Sequence, residues 1–185
     1  MEYTEDLKTL VRGASAGDRG AFRHIYDLSN DKIFRFLLGQ LRDRDLSLDA
    51  LQEIMIDLWK ALPRFRYRSD EEFWGFVFII ARRRVYALRK HQERANIAVD
   101  TETLEFLHES TSPHTPLHED ERELHNAIEK LSAISKEVLG LRYWSELSFK
   151  EIAIALKTTE NTAKVRHHRA IKELHTYLPN THAPQ

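Results

Sequence analysis

The sequence predicts an all-α protein built as two small helical domains joined by a flexible linker. Three observations carry that expectation. Apolar residues recur at helical spacing almost without a break over residues 7–88, and β-branched alternation of the kind a strand needs is absent. From Ala95 to about His118 the pattern gives way to Thr, Ser, Pro and acidic residues, among them Thr101, Thr103, Ser110, Thr111, Ser112, Pro113 and Pro116. Helical periodicity resumes near Glu119 and ends in two short amphipathic segments separated by a tight turn. The expected boundaries are a first domain over 1–94, an acidic linker over 95–118, a second domain over 119–178 and a disordered tail over 179–185.

Along the chain, Leu7, Leu10 and Val11 make a short first helix that residues 13–17, with two glycines, bring to an end. Asp18 caps the next, in which Ala21, Phe22, Ile25 and Tyr26 begin an apolar stripe that Ile33, Phe34, Leu37, Leu38 and Leu41 extend. Asp43, Arg44 and Asp45 turn the chain. A helix over residues 48–62 then turns Leu51, Ile54, Met55, Leu58 and Leu62 inward and stops at Pro63, whose ring cannot continue it. A loop over 64–70 leads into a helix from about Glu71 to Arg94, apolar in its first half (Phe73, Trp74, Phe76, Val77, Phe78, Ile79, Ile80) and basic in its second. The linker holds at most a transient helix at residues 104–108. Beyond it Leu124, Ile128, Leu131, Val138, Leu139 and Leu141 face inward.

The final pair of helices starts at Ser148, with Glu151 three residues on, the spacing of a capping box. Ile152, Ala153 and Leu156 fall on one face. Lys157, Thr158 and Thr159 break the period, and Thr158 or Thr159 caps a second helix that buries Ala163, Ala170 and Leu174. Its other face carries Asn161, Thr162, Lys164, Arg166, His168 and Arg169. Short polar groups and cations near a helix N-terminus suit base edges and phosphates. The same spacing also fits an ordinary helical hairpin with a solvated basic face.

The chain of 185 residues carries a net charge of −1, which looks wrong for a nucleic-acid binder until it is resolved along the sequence. Residues 64–94 hold nine bases against four acids, residues 95–130 two against nine, and residues 131–185 eight against five. Two basic blocks separated by an acidic connector imply two nucleic-acid contacts on one chain. Without cysteine, disulfides and thiolate metal sites are excluded. No apolar run approaches a membrane span, and the acidic start lacks a signal-peptide pattern, so a cytoplasmic protein without membrane insertion is expected.

Four segments, in order, carry a resemblance to a known family. Gly17-Asp18 with Ala21-Phe22 and Tyr26 is similar to an AGDxxAFxxLY pattern. Asp49-Ala50-Leu51-Gln52-Glu53-Ile54-Met55 with Trp59 resembles DLVQEVFLxxW, and Phe76-Val77-Phe78-Ile79-Ile80-Ala81-Arg82 resembles WLYRIAR. Leu147-Ser148-Phe149-Lys150-Glu151-Ile152-Ala153, with Thr162-Ala163-Lys164-Val165-Arg166 and Arg169-Ala170, resembles LSYxEIA and TVKSR..RA. These patterns belong to the extracytoplasmic-function group of the sigma-70 family, and the resemblance covers nearly the whole chain.

The resemblance implies a promoter-specificity subunit of bacterial RNA polymerase, not an enzyme, with no cofactor. Asp49, Gln52, Glu53 and Asp57 would dock on the β′ coiled coil of core polymerase, the second domain would meet the β flap, and an anti-sigma factor would be a further partner. Trp59 is more simply core. Arg64, Arg66, Tyr67, Arg68 and Ser69, with Arg82, Arg83, Arg84, Arg89 and Lys90, would bind and open the −10 element. That chemistry needs cations for the backbone and a ring or pocket for an unstacked base. Stabilisation of the helix's own C-terminal dipole explains some of these cations but not five. Phe73, Trp74 and Phe76 fit the core better than base platforms. Thr159, Asn161, Thr162, Lys164, Arg166, His168 and Arg169 would read the −35 element.

The chain also departs from the family pattern. Arg83 replaces a usual Asn, Phe76 a usual Trp, and Lys157 the turn glycine; His167 stands where an apolar residue is usual and is expected as a buried neutral imidazole. The histidines His108, His114, His118 and His125 lie mostly in the linker and have no HExxH spacing, so no metal site is expected. Rival readings are a stand-alone helix-turn-helix regulator, a sigma-like decoy that sequesters an anti-sigma protein, and, more remotely, a metal-dependent hydrolase. The first leaves the helix around Asp49 without a task, the second would have shed its DNA-facing cations, and the third would bind stoichiometric metal.

Overall fold

A computed structural model describes residues 6–98 and 119–178, and every regular element among them is helical. Most of the linker, the helix expected at 104–108 and the tail lie outside these residues. The first domain comprises α1 (Leu7–Ser15), α2 (Arg19–Leu41), α3 (Arg44–Ala61), a 3₁₀ turn (Leu62–Arg64) and α4 (Asp70–Ala98). The second comprises α5 (Glu119–Lys130), α6 (Ala133–Leu139), a π turn (Gly140–Trp144), α7 (Phe149–Ala155) and α8 (Glu160–Tyr177).

Local chemistry accounts for most helix ends. Gly17, at φ +94°, turns the chain out of α1, and Asp18 accepts bonds from the Gly20 and Ala21 amides to cap α2. Asp43 does the same for α3 by accepting from Leu46 N at 2.8 Å. That cap starts α3 at Arg44, four residues before the Leu48 expected, because an acidic residue read as part of a turn is the N-cap itself. Pro63 ends α3 in the 3₁₀ turn. α4 runs on to Ala98, past the expected Arg94.

The first domain buries Leu10, Val11, Ile25, Ile33, Phe36, Leu37, Ile54, Leu58, Phe73, Val77 and Phe78. Leu141, Leu147, Ile152, Ala153, Ala155 and Ala163 of the second domain join the same continuous apolar core. The second domain adds a small cluster of its own, Leu131, Leu139 and Ala170, with Ile128, Trp144, Ile171 and Leu174 against it. α8 is tied to the start of α6 by Glu173, which accepts from Ser135 Oγ at 2.5 Å and Ser132 N at 2.8 Å. Those bonds hold the Glu173 carboxyl below the usual carboxylate range.

The two domains meet along α4 and α7, and again where α2 meets the π turn. Ser145 Oγ donates to the Lys32 carbonyl at 3.2 Å, and Gly140 lies against Phe36 and Gln40. Ion pairs cross the same seam: Arg35 with Glu146, Arg42 with Glu129, Arg82 with Glu137 and Lys150 with Glu71.

Candidate nucleic-acid interface

The helix-turn-helix forms as its spacing predicts. Ser148 caps α7 through a full capping box, with Glu151 N donating to Ser148 Oγ at 3.3 Å and Ser148 N to Glu151 Oε2 at 2.5 Å. The turn then closes in a Schellman arrangement. Thr158 N bonds to the Ala153 carbonyl at 2.8 Å and Lys157 N to that of Ile154 at 3.0 Å, with Lys157 itself left-handed at φ +51°. A lysine therefore occupies the backbone conformation that the absent glycine would take without strain.

Thr159, not Thr158, caps α8: its hydroxyl accepts from Thr162 N at 3.2 Å and pairs with the Thr162 hydroxyl at 2.8 Å. Both threonines are thus partly committed to the cap. Asn161, Lys164, His168 and Arg169 are exposed, and Arg166 is half-buried. Val165, which sequence reasoning passed over, is also exposed, at 41 %. Asn161, Lys164, Val165 and His168 fall at i, i+3, i+4 and i+7 and line one stripe. Glu160 lies at its head, paired with Lys164 at 2.7 Å, and that bond keeps the Glu160 carboxyl below its ordinary range.

His167 is half-buried rather than buried. Its Nε2 is 3.2 Å from the Tyr143 hydroxyl, and its ring meets Phe149 edge-on at 5.3 Å. Desolvation, aided by the charges of Arg142 and His168, holds its pKa below the usual histidine value. Neutral imidazole is the form this environment favours.

The loop before α4 divides into two kinds of residue. Arg64, Arg66 and Arg68 are exposed. Tyr67 is half-buried against the core and donates its hydroxyl to Asp70, while Ser69 Oγ accepts from Glu72 N at 3.2 Å. Desolvation and the Asp70 carboxylate push the Tyr67 phenol up to about 12. Tyr67 and Ser69 therefore fasten the start of α4.

The cations of α4 also divide. Arg83 and Lys90 are exposed. Arg82 is held by Glu137, with Nε to Oε1 at 2.7 Å and Nη2 to Oε2 at 3.1 Å, and Nη1 donates to the Ala155 carbonyl. Arg84 pairs with Glu53. Arg89 donates to Gln40 through its carbonyl at 3.0 Å and its side-chain oxygen at 2.8 Å. A groove of about 410 Å³ brings Arg64, which ends the 3₁₀ turn and does not belong to the loop as expected, together with Arg83 and Arg84 of α4, with Asp57 and Lys60 of α3 on its other wall. A second cleft of about 450 Å³ lies between α4 and α6, where Arg82, Arg83, Tyr86 and Arg89 face Ile134, Glu137 and Lys157.

On α3, Asp49, Gln52, Glu53 and Asp57 are all exposed on one face. Ile56, 51 % exposed, stands among them, an apolar side chain at a polar stripe position. It borders an apolar groove of about 380 Å³ lined by Arg19, Phe22, Met55, Ile56 and Trp59. Phe22 and Trp59 meet there edge to face, 4.9 Å between centroids, so Trp59 is half core and half groove wall.

Among the described residues no group of three or more His, Asp or Glu side chains could hold a metal, and no helix is long and apolar enough to cross a membrane. His108, His114 and His118 lie outside the described residues.

Comparison with known proteins places both domains. Residues 25–95 match the sigma-70 region 2 family and residues 121–174 the sigma-70 region 4 family. The chain is 28 % identical over 163 residues to the ECF RNA polymerase sigma factor SigX of Bacillus subtilis, covering 85 % of this chain and 83 % of that protein. In fold it is similar to CnrH in complex with the cytosolic domain of CnrY, with TM-score 0.67, 18 % identity, and 92 % and 96 % of the two chains covered. It is similar as well to the sigma factor RpoE in complex with the anti-sigma factor NepR from Bartonella quintana, with TM-score 0.66, 21 % identity, and 87 % and 98 % covered. With region 2 matched on the domain of the acidic α3 face, region 4 on the helix-turn-helix, and a relative aligned across both, the chain belongs to the extracytoplasmic-function group of the sigma-70 family and is a sigma factor of transcription initiation.

Proposed function

We propose that α3 docks this sigma factor on core RNA polymerase through Asp49, Gln52, Glu53 and Asp57, with Ile56 and the Phe22–Trp59 groove receiving apolar side chains of the partner. The observation that carries this assignment is the composition of that surface: acids and an amide beside an open apolar groove. An acidic rim around an apolar anchor suits a basic partner helix pair such as the β′ coiled coil. The groove joining Arg64 to Arg83 and Arg84, with Arg66, Arg68 and Lys90 outside it, is the surface assigned to −10 DNA. Asn161, Lys164, Val165, His168 and Arg169 are assigned to the major groove at −35. Ser69 and Thr159 support these surfaces by capping the helices that carry them, with the Tyr67 hydroxyl bonded to Asp70 and that of Thr162 to Thr159 beside the caps.

The second domain is assigned a further contact with the β flap. An anti-sigma protein is a proposed partner, in keeping with the NepR complex of the RpoE to which the fold is similar. The chain is assigned to the cytoplasm and to a non-enzymatic role, as befits its family. The test is co-purification with core polymerase followed by transcription from genomic templates. Wild-type protein yields promoter-dependent transcripts; charge reversal at Asp49 and Glu53 together abolishes core binding with helicity intact. Persistent core binding by that variant would place the docking face elsewhere.

A further inference from the structure

The cleft between α4 and α6 lies outside the surfaces assigned above, sharing only Arg83 with the −10 groove, and its chemistry is that of a ligand site. It holds about 450 Å³, within the range of small-molecule pockets. Each domain supplies one wall, and the contacts beside the cleft keep the walls in place. Gly75 lets α4 approach α7 so closely that a Cβ there would collide with Ile154. Arg82 forks onto Glu137 and donates to the Ala155 carbonyl at the end of α7.

Charge is unbalanced inside the cleft. Arg82, Arg83, Arg89 and Lys157 line it with a single acid, Glu137, which Arg82 already neutralises. Arg89 bonds to Gln40, a neutral group, and neither Arg83 nor Lys157 makes an ion pair among the described residues. The charges of Arg83, Arg89 and Lys157 are left for an anion. Lys157 stands there under strain, in a left-handed conformation at φ +51° that glycine would take freely, and strained backbone gathers where a side chain serves a ligand. Arg83 and Lys157 are also two of the positions at which this chain departs from the pattern it resembles, and both departures put a cation on this cleft.

The apolar groups of the cleft are equally open. Tyr86 of α4 is 69 % exposed and Ile134 of α6 is 58 % exposed, one on each wall. An open ring beside three uncompensated cations suits a planar base joined to phosphates: the base stacks on the ring, and arginine and lysine take the phosphate oxygens. Because Ile134 and Lys157 belong to the second domain, the occupant must fit between two walls, which favours a single nucleotide over a strand laid along α4.

We propose that this cleft binds a nucleoside di- or triphosphate, with its base against Tyr86 and Ile134 and its phosphates on Arg83, Arg89 and Lys157. The ligand touches both domains, so its binding raises the thermal midpoint of the free chain.

Calorimetric titration of the full chain with ATP and with GTP tests the site, in magnesium-free buffer at about 0.15 M salt to screen loose ionic contacts. Inorganic tripolyphosphate and adenosine serve as the two halves of the ligand. ATP or GTP should bind at least about tenfold tighter than tripolyphosphate, because stacking of a base adds that much, and adenosine should bind more weakly still. Tyr86→Ala should weaken the nucleotide about tenfold and leave tripolyphosphate unchanged, while Tyr86→Phe, which keeps the ring, should bind as wild type does. Lys157→Gly, which keeps the turn and removes one charge, should weaken both about tenfold. Tyr86 and Lys157 are exposed, so these variants should fold as the wild type does, which their thermal midpoints check.

Tripolyphosphate that binds as tightly as both nucleotides overturns the proposal, since the cleft is then a cationic patch without a place for a base. Undiminished nucleotide binding by Lys157→Gly overturns it too, as does failure of ATP and GTP alike to bind at about 1 mM. A short single-stranded oligonucleotide is the last probe. If it displaces ATP and loses as much affinity in Lys157→Gly, the cleft belongs to DNA and not to a free nucleotide.

Discussion

Lys157 occupies a left-handed conformation, at φ +51°, in the turn between α7 and α8. An L-residue there is strained by about 1 kcal/mol relative to glycine, because its Cβ crowds the backbone. The Schellman bonds of Thr158 and Lys157 do not depend on the side chain. Lys157→Gly should therefore stabilise the fold by at most about 0.5 kcal/mol once the extra freedom of glycine in the unfolded chain, about 0.4–1 kcal/mol, is subtracted, and the urea midpoint should rise slightly at unchanged m. A lower midpoint would mean that the lysine side chain contributes something its exposed position does not reveal. His167 illustrates a different limit of sequence reading. Its place in the helical period predicted burial, and burial is only half reached, because Tyr143 lies exposed beside it and shares its polar edge. With its pKa held below the ordinary value of about 6.5, the unfolded chain binds this proton more readily than the folded one. Stability is then highest above that pH and declines as pH falls from there to the lower folded value. His167→Phe keeps the contact with Phe149 and removes the titration. Its thermal midpoint should fall less than that of wild type between about pH 7.5 and about pH 5.5. Equal declines would show that other histidines carry the acid sensitivity.

At the scale of elements, what the sequence made legible was what is local. The caps at Asp18, Ser148 and Thr159 could be read because a capping residue and the amide it serves lie two or three positions apart. The same locality explains the misplaced start of α3, where Asp43 can be read equally as turn or cap until its bond to Leu46 N is seen. Surface stripes were legible only in outline. The acids of α3 could be found by period, but not that Ile56 would stand open among them, since a periodic pattern assigns an apolar residue inward. On α8 the exposed stripe separates two kinds of contact. Asn161, an amide at the head of the helix, is suited to a base edge, and Arg169, two turns on, to a phosphate. Asn161→Ala should change the preferred base at one −35 position, with a discrimination loss of about 1–3 kcal/mol there. Arg169→Ala should weaken binding to all sequences alike and lower the salt slope by about one. Holoenzyme binding to randomised −35 duplexes, repeated across salt concentrations, measures both. A base-specific effect of Arg169→Ala would reverse the assignment.

At the scale of the molecule, the docking of the two domains was not legible, because it depends on residues far apart in sequence whose local signals point elsewhere. Arg82 reads as one more cation on a basic helix, and Glu137 as an acid at the edge of α6; nothing in either segment pairs them across 55 positions. Gly75 inside a helical run reads as a weak point rather than a contact. The relative size of the forces at the seam decides how it should behave. The pairs Arg35–Glu146 and Lys150–Glu71, at 3.3 and 4.0 Å and with each side chain 39–65 % exposed, contribute at most about 1 kcal/mol each and are screened by salt. Ile152, Leu147 and Leu141 are fully buried in the core shared with α4 and α2, and a side chain of that size gains about 1.5–3 kcal/mol on burial. Apolar packing therefore outweighs the exposed ion pairs, and the two domains should unfold together. Calorimetry of the wild-type chain should give one cooperative transition that remains single at about 1 M salt, where the Debye length has shrunk to about 3 Å. Gly75→Ala, which disturbs the packing and leaves every ion pair chemically intact, should split that transition into two, the lower belonging to the second domain with its smaller private core. Separation by salt alone would instead assign the seam to its charges, and a single transition in Gly75→Ala would mean that the methyl group is absorbed without parting α7 from α4.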